Sequence, residues 1–397
     1  MNQEFSKIDL VVLAGGKGSR LKNLSKKYSK SLVKIKNINF MQLLLNKYCK
    51  YNFNKIYILV GYKKNYIINK FNNKIINFIK IKCLGGKKLL GTGGSLNALQ
   101  KGNDFILINS DTYFDIDVKK FIKINKNYLA KIALVKNTNY KSNNKLSNLE
   151  LKNNNVIFSN SKKKYMNAGI YFFRKEIFNY IKKNKMSLEN DLLPKLMLKK
   201  KVTGDKYNNF FLDIGTIKNY NTAKKKIPQY LRRPAAFLDR DGVINEDTGY
   251  INNFQNIKFR EGVIKGLKYL VKNKYYIFII TNQAGIAKNK ISMKQFNTLN
   301  IKLKKFLGEK NIYIDRTEYC PFHHKATNFK FRKRSNFRKP GNLMIKKITK
   351  EWFINIKKSF MIGDKISDKI CAKKSGLYFE FANNNFYCQI KNIVKKN

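Results

Sequence analysis

Two groups of residues in this chain have the types and spacing for phosphate chemistry. In the first, Leu13-Ala14-Gly15-Gly16-Lys17-Gly18-Ser19-Arg20 closes an apolar run. Glycines let a backbone approach a phosphate and offer it N–H groups, and Arg20 can neutralise its charge. In the second, Asp239 and Asp241 stand two residues apart directly after another apolar run, with Thr281, Lys339 and Asp364 downstream. A carboxylate pair with a cation and a hydroxyl can supply a nucleophile and an acid–base partner around a divalent ion. The glycine loop is neither GxxxxGK[ST] nor GxGxxG, so it is not a Walker loop or a dinucleotide fingerprint.

Positioning these groups calls for α/β architecture. Apolar strands are predicted at Ile8–Ala14, Lys55–Gly61, Asn77–Cys83, Asp104–Asn109, Lys131–Lys136 and Ala168–Phe173, with helical patterns at Phe40–Lys50, Ser95–Lys101, Val118–Asn125 and Leu188–Lys199. That alternation implies a largely parallel sheet flanked by helices. A second series begins at Ala235–Leu238 and continues with strands at Tyr275–Thr281 and Ser359–Gly363 and helices at Val263–Lys272, Met293–Leu307 and Asp364–Ser375. Its candidate residues fall at strand C-termini, the edge where open α/β sheets bind ligands. A basic stretch with two of the five prolines, Lys224–Pro234, separates the series. The expected domains are therefore 1–226 and 235–397 with a linker over 227–234, each retaining its activity when the chain is cut near residue 230.

At 397 residues, 43% of them hydrophobic, the chain can fill two cores and is not a disordered tail. The formal charge of +59 comes from 83 Lys+Arg, of which only ten are arginine. Lysines spread along the whole chain beside Asn and Ile reflect A/T-rich codons rather than a nucleic-acid surface, although they should draw anionic small molecules. The five cysteines are widely spaced and form no disulfide framework. With no signal-like N-terminus and no apolar run long enough to span a bilayer, a cytoplasmic location without a membrane partner is expected. Oligomeric state leaves no mark in the sequence.

The motif order GGKGSRL (15–21), SKSLVKI (29–35), LGTGGSLNA (90–98), NSDTYFDID (109–117), NAGIYFF (167–173), SLENDLLP (187–194) and LDIGT (212–216) resembles that of sugar-1-phosphate nucleotidyltransferases. The wording LGTGG and DTYFDID is most similar to the D-glycero-α-D-manno-heptose 1-phosphate guanylyltransferases. The resemblance implies a mixed, Rossmann-like three-layer domain in which a sugar phosphate oxygen attacks the α-phosphorus of a nucleoside triphosphate and pyrophosphate leaves. By the same carry-over, Asp111 and Asp213 would hold Mg²⁺, with Arg20 over the triphosphate and Lys30 near the α-phosphate. Leu13, Ala14, Gly15, Gly16, Gly18, Gly91, Gly94 and Asp111 would bind nucleotide, and Asn167, Gly169 and Glu189 the sugar. The chain departs from the family at Ser29 and Ser31 in place of two prolines, at Ser110 in place of glycine, and at Gly86 where glutamate is common.

LDRDGVIN (238–245), TNQAGIA (281–287), YCPFHH (319–324), RKP (338–340) and IGDKISD (362–368) resemble haloacid-dehalogenase-type phosphatases, and within them the heptose bisphosphate phosphatases and histidinol-phosphatases. The implied fold is a second Rossmann-like domain with no large cap. Asp239 would be the nucleophile and Asp241 the acid–base. Thr281 and Lys339 would contact the transferring phosphoryl group, and Asp239, Asp241 through its backbone carbonyl, and Asp364 would hold Mg²⁺. Asn282, Gln283 and Arg338 become candidates for the distal part of the substrate, while Lys365 and Asp368 read as surface salt-pairing residues. Many relatives carry a zinc loop before RKP. Here Cys320 and His323/His324 remain but Ser335 and Phe337 replace the later ligands, so structural zinc is not expected. Together the halves imply removal of the C7 phosphate from heptose 1,7-bisphosphate and then GMP transfer from GTP. The competing reading is a mannose- or other hexose-1-phosphate nucleotidyltransferase fused to a phosphatase with a different substrate.

Overall fold

The computed structural model describes residues 5–16, 20, 29–86, 90–100, 102–136, 145–159, 165–182 and 185–396. The first half is built on nine strands that matter here: β1 (Ile8–Ala14), β2 (Ile56–Val60), β3 (Ile79–Leu84), β4 (Asp104–Asn109), β5 (Thr112–Phe114), β6 (Ala130–Lys136), β7 (Tyr165–Phe173), β8 (Val202–Tyr207) and β9 (Phe211–Asp213). Seven of them form the middle of a mixed sheet. β4, β1, β2 and β3 run parallel in that order, β7 lies antiparallel to β4 and to β6, and β8 joins β6 in parallel. β5 and β9 make a separate antiparallel ribbon. The near-continuous burial of β1 is what a central strand covered on both faces requires. Its side chains alternate: Leu10 and Val12 join a core with Phe40, Leu44 and Ile227, whereas Val11 joins another with Leu96, Leu107 and Leu192.

Two helices frame this half, α1 (Phe40–Tyr48) and α2 (Ile217–Leu231). The segment expected as a linker is helical as far as Leu231, with Pro228 inside the helix. Tyr220, Ala223, Ile227 and Leu231 recur at helical spacing and are buried, and that stripe holds the last turns despite the N–H that proline lacks. The antiparallel β7 and the helix Lys64–Phe71 carried no sequence signal strong enough to predict them in these roles.

The second half is a five-stranded parallel sheet. Its strands are β10 (Ala235–Leu238), β11 (Tyr276–Asn282), β12 (Arg316–Cys320), β13 (Phe360–Gly363) and β14 (Tyr378–Phe381), in the order β12-β11-β10-β13-β14. Around it lie α3 (Val263–Lys272), α4 (Met293–Glu309), α5 (Leu343–Glu351), α6 (Ile366–Lys373) and α7 (Phe386–Lys396). Leu267, Leu303 and Ile390 cover one face, and Met344, Ile345 and Cys371 the other. α4 opens on a capping box, Ser292 with Gln295, which fixes its first turn. No helix among the described residues is long and apolar enough to cross a membrane.

Two candidate phosphate sites

In the first half, a cleft of about 410 Å³ opens at the ends of β1 and β4. Leu13, Gly16, Arg20, Lys30, Asp111, Asn167, Gly169, Glu189 and Asp213 all line it. The ribbon unites the two aspartates: Asp213 faces Thr112 in register, and the Ile214 N–H donates to the Asp111 carbonyl at 2.9 Å. Lys30 forms an ion pair with Asp111, and the Gly215 N–H donates to Asp213. Burial, and then the charge of Asp111, push the Asp213 carboxyl up to about 6 against the pull of Lys30. Two carboxylates this close need positive charge between them, and their hard oxygens suit Mg²⁺.

The sugar candidates are placed by a break in the strand. The register of β7 against β6 shifts between Asn167 and Tyr171, and this bulge turns Asn167 and Gly169 towards the cleft. Asn167 accepts the Gly169 N–H at 3.0 Å and donates to the Tyr171 hydroxyl. Gly169 has φ +70°, and a Cβ there would lie 2.7 Å from Asn109 Nδ2, so both the backbone and the space exclude a side chain. Glu189 accepts from the Thr92 hydroxyl at 2.7 Å.

Not every residue expected to hold nucleotide lines this cleft. Gly91 and Gly94 do not line the cleft; the N–H of Gly94, like that of Gly93, donates to Met186 O at 3.0 Å, so the turn packs against residues 186–188 and Thr92 is the member that reaches the cleft. Ala14 and Gly15 support the cleft from β1 without lining it, and Gly18 lies outside the described residues. The sequence reading also missed the buried Ser31–Ser110 hydroxyl pair at 2.8 Å and Asn109, whose Oδ1 is buried without a hydrogen-bond partner among the described residues. Ser31 and Ser110 stand at two of the departures from the family pattern and hydrogen-bond to each other.

The second site, of about 410 Å³, sits at the C-terminal ends of β10 and β11. Asp239, Asp241, Thr281, Asn282, Gln283, Arg338 and Lys339 line it. Lys339 is fully enclosed. Its ammonium pairs with Asp239 at 2.5 Å and Asp368 at 2.6 Å and donates to Ile280 O at 2.9 Å. Burial, with Asp368 and Asp241 nearby, pushes the Asp239 carboxyl up to about 6 although Lys339 opposes it. Burial also raises Asp241, but the bidentate guanidinium of Arg240 (3.0 and 2.8 Å) outweighs that and, with Asn245 and Gln283, carries the carboxyl below its ordinary value. The two adjacent carboxyls are thus driven apart in acidity, Asp239 upward and Asp241 downward.

Asp239, Asp364 and Asp368 offer ligand oxygens within 4.8 Å of one another. Asp364 Oδ1 is buried with no hydrogen-bond partner among the described residues. An orphaned carboxylate oxygen inside an acidic group fits a divalent cation. Gly242, at φ +79°, lets the chain pass Asp364, since a Cβ would lie 2.5 Å from Asp364 Oδ2.

One expectation is corrected. Asp368 is not a surface residue: it is wholly buried at the start of α6, caps the Lys365 N–H at 3.0 Å and bonds Lys339. The Gln283 amide, which lines the cleft, donates to Asp241 and Thr281. Asn282 exchanges two hydrogen bonds with the Lys339 backbone, at 3.0 and 3.1 Å, and so fixes that lysine. Lys365 does pair at the surface, with Asp247 at 2.9 Å. In the loop before Arg338, Cys320 is buried and Phe337 packs against the same core.

The family profile described as nucleotidyl transferase matches residues 10–230, and that described as polynucleotide kinase 3 phosphatase matches residues 239–391. Among curated proteins, the D-glycero-beta-D-manno-heptose-1,7-bisphosphate 7-phosphatase of Rhodopseudomonas palustris is 35% identical over 164 residues, covering 41% of this chain and 91% of that one. The Escherichia coli protein of the same name is 37% identical over 139 residues, 35% of this chain and 73% of that one. Among solved structures, HddC from Yersinia pseudotuberculosis is 28% identical, with a TM-score of 0.46 over 55% of this chain and 99% of that one. The chain belongs to the nucleotidyl transferase family through residues 10–230 and, through its second sheet, to the family of these bisphosphate phosphatases, and it is accordingly an enzyme.

Proposed function

We propose that this chain carries out two consecutive steps of nucleotide-sugar synthesis. The second domain removes the C7 phosphate of D-glycero-D-manno-heptose 1,7-bisphosphate, and the first transfers GMP from GTP to the resulting heptose 1-phosphate. The domains are taken as 1–231 and 235–397. The observation that carries the bifunctional reading is that each sheet ends in its own cleft with its own acidic pair and a lysine paired to it. The substrate rests on the name of relatives that share 35–37% identity with the phosphatase half.

In the phosphatase cleft, an Asp239 oxygen attacks phosphorus and the P–O bond to the sugar breaks. Asp241 gives its proton to the departing alkoxide. The free site holds Asp241 ionised through Arg240, and an arriving anionic phosphate raises its proton affinity. In the second step Asp241 takes a proton from water as that water attacks the aspartyl-phosphate, returning the Asp239 carboxylate and inorganic phosphate. Lys339 and the Thr281 hydroxyl hold the phosphoryl oxygens. In the first cleft the sugar phosphate oxygen attacks the α-phosphorus and pyrophosphate departs, with Arg20 and Lys30 offsetting the charge. Mg²⁺ held by Asp239, Asp364 and the Asp241 carbonyl in one site, and by Asp111 and Asp213 in the other, would neutralise phosphate oxygens.

Single substitutions in the full chain test the assignment. Asp239→Asn should lower phosphate release on the order of 10⁴-fold or more while sparing pyrophosphate release, and Asp111→Asn should do the reverse. The curated relatives carry the β-anomer in their names, so both anomers belong in the assay. A variant that changes neither activity, or both, would overturn the site assignment. Pyrophosphate release with mannose 1-phosphate and none with heptose 1-phosphate would overturn the substrate.

A further inference from the structure

The turn between the two-residue strand Ile75–Ile76 and β3 is formed by Asn77 and Phe78, with Ile76 opposite Ile79. Both turn residues have positive φ, +48° and +69°. A two-residue hairpin of this kind favours Asn first and Gly second. Phenylalanine in the glycine position is a strained choice, and strain of this kind persists only where surrounding contacts hold it.

Those contacts come from the other domain. The Asn77 side chain pairs with the exposed edge of β12 as a strand would, donating to Asp315 O at 2.9 Å and accepting from the Thr317 N–H at 3.0 Å. Lys304 of α4 donates to Asn77 O at 3.1 Å and to Cys49 O at 3.3 Å. The Phe78 ring meets Phe296 edge-on at 5.8 Å and stacks on Tyr319 at 6.1 Å, and those two rings lie 4.6 Å apart. On Phe296 also rests the guanidinium of Arg240, 5.8 Å from the ring centroid. Arg240 is the residue that grips both oxygens of Asp241 through Nε and Nη2, and its Nη1 has no hydrogen-bond partner among the described residues.

We propose that Phe78, carried by the nucleotidyltransferase domain, is a positioning residue for the phosphatase site, seating Phe296 and through it the Arg240 that aims Asp241. The inference rests on the acid–base role of Asp241 given above. Removing the ring leaves a void beside Phe296, which loosens the face on which Arg240 lies. Asp241 then keeps its charge partner and loses its aim. Nothing in this chain of contacts touches Asp111, Lys30 or Asp213, so nucleotidyl transfer is spared.

Phe78→Gly tests this without disabling the turn, because glycine is the residue the turn geometry prefers. In the full chain it should lower phosphatase kcat about tenfold with KM unchanged, since small misplacements of a catalytic group cost that much or more. Pyrophosphate release should stay at the wild-type level, and Phe78→Tyr, which keeps the ring, should restore most of the phosphatase kcat. Phosphatase kcat at the wild-type level in Phe78→Gly, an equal loss of both activities, or a loss confined to KM would each overturn the proposal. Wild-type protein with no phosphatase turnover would instead overturn the reading on which it rests.

Discussion

Lys339 is held from three sides, by Asp239, Asp368 and the Ile280 carbonyl, and its backbone is clamped by Asn282. Such a lysine is fixed before any phosphate arrives, and that preorganisation is what electrostatic catalysis requires. Asp368→Asn should therefore lower phosphatase turnover about 10–100-fold, measured with the bisphosphate at saturating Mg²⁺, while a surface residue would change nothing. The candidate nucleophile and lysine stood out because their motifs name them, and Asp364 because it directly follows a buried strand. Asp368 was not, since an acid on the first turn of a helix reads as a cap or a surface charge until the helix is seen to point it inward. A signal existed in the spacing: Asp364 and Asp368 stand four residues apart at the end of a buried strand. Arg240 was passed over for a related reason. Lying between two catalytic candidates, it carried no motif role of its own, and only geometry gives it both oxygens of Asp241.

Among the elements, the bulge in β7 and the ribbon β5–β9 do the placing in the first cleft. Gly169→Ala would force a Cβ against Asn109 at a positive φ, destabilising the fold by about 1–3 kcal/mol and raising KM for the sugar phosphate, as thermal unfolding and steady-state assays would show. A second device joins α1, the loop after β5 and α2: Asp115 accepts from Lys47 at 2.6 Å and from the Tyr230 hydroxyl. Burial raises its carboxyl, but Lys47, Tyr230 and Arg233 carry it down to about 2. Because the folded value lies below the unfolded one near 4, the stabilisation is complete above pH 4 and is lost as pH falls through 2. Asp115→Asn should cost about 1 kcal/mol at pH 7, discounted because the carboxylate is still a third exposed, and nothing near pH 2. A constant penalty across that range would refute it. Strand positions were readable from apolar runs, most closely at β1, β4 and β10. The antiparallel direction of β7 was not, because burial patterning is the same whichever way a strand runs.

At the scale of the whole molecule, the two domains share more than a linker. Asn77 and Lys304 bury their polar groups across the junction, and Tyr276 donates to Leu231 O at 2.7 Å where α2 ends. Beside the expectation that either half works alone after a cut near residue 230 stands one about stability. A 232–397 fragment leaves the β12 edge and Phe296 uncovered, and it should unfold about 5 °C or more below the phosphatase half of the full chain in calorimetry. Equal midpoints would argue for independence. Sequence could not reveal this junction, since Asn77 and Phe78 read only as the start of a strand and the partner surface is more than 200 residues away. The account stands most directly on what the purified protein makes. Supplied with heptose 1,7-bisphosphate in either anomer, Mg²⁺ and all four nucleoside triphosphates, it should yield inorganic phosphate, pyrophosphate and GDP-heptose by mass spectrometry. A bisphosphate left intact, or a heptose 1-phosphate that gains no nucleotide from any triphosphate, would contradict it.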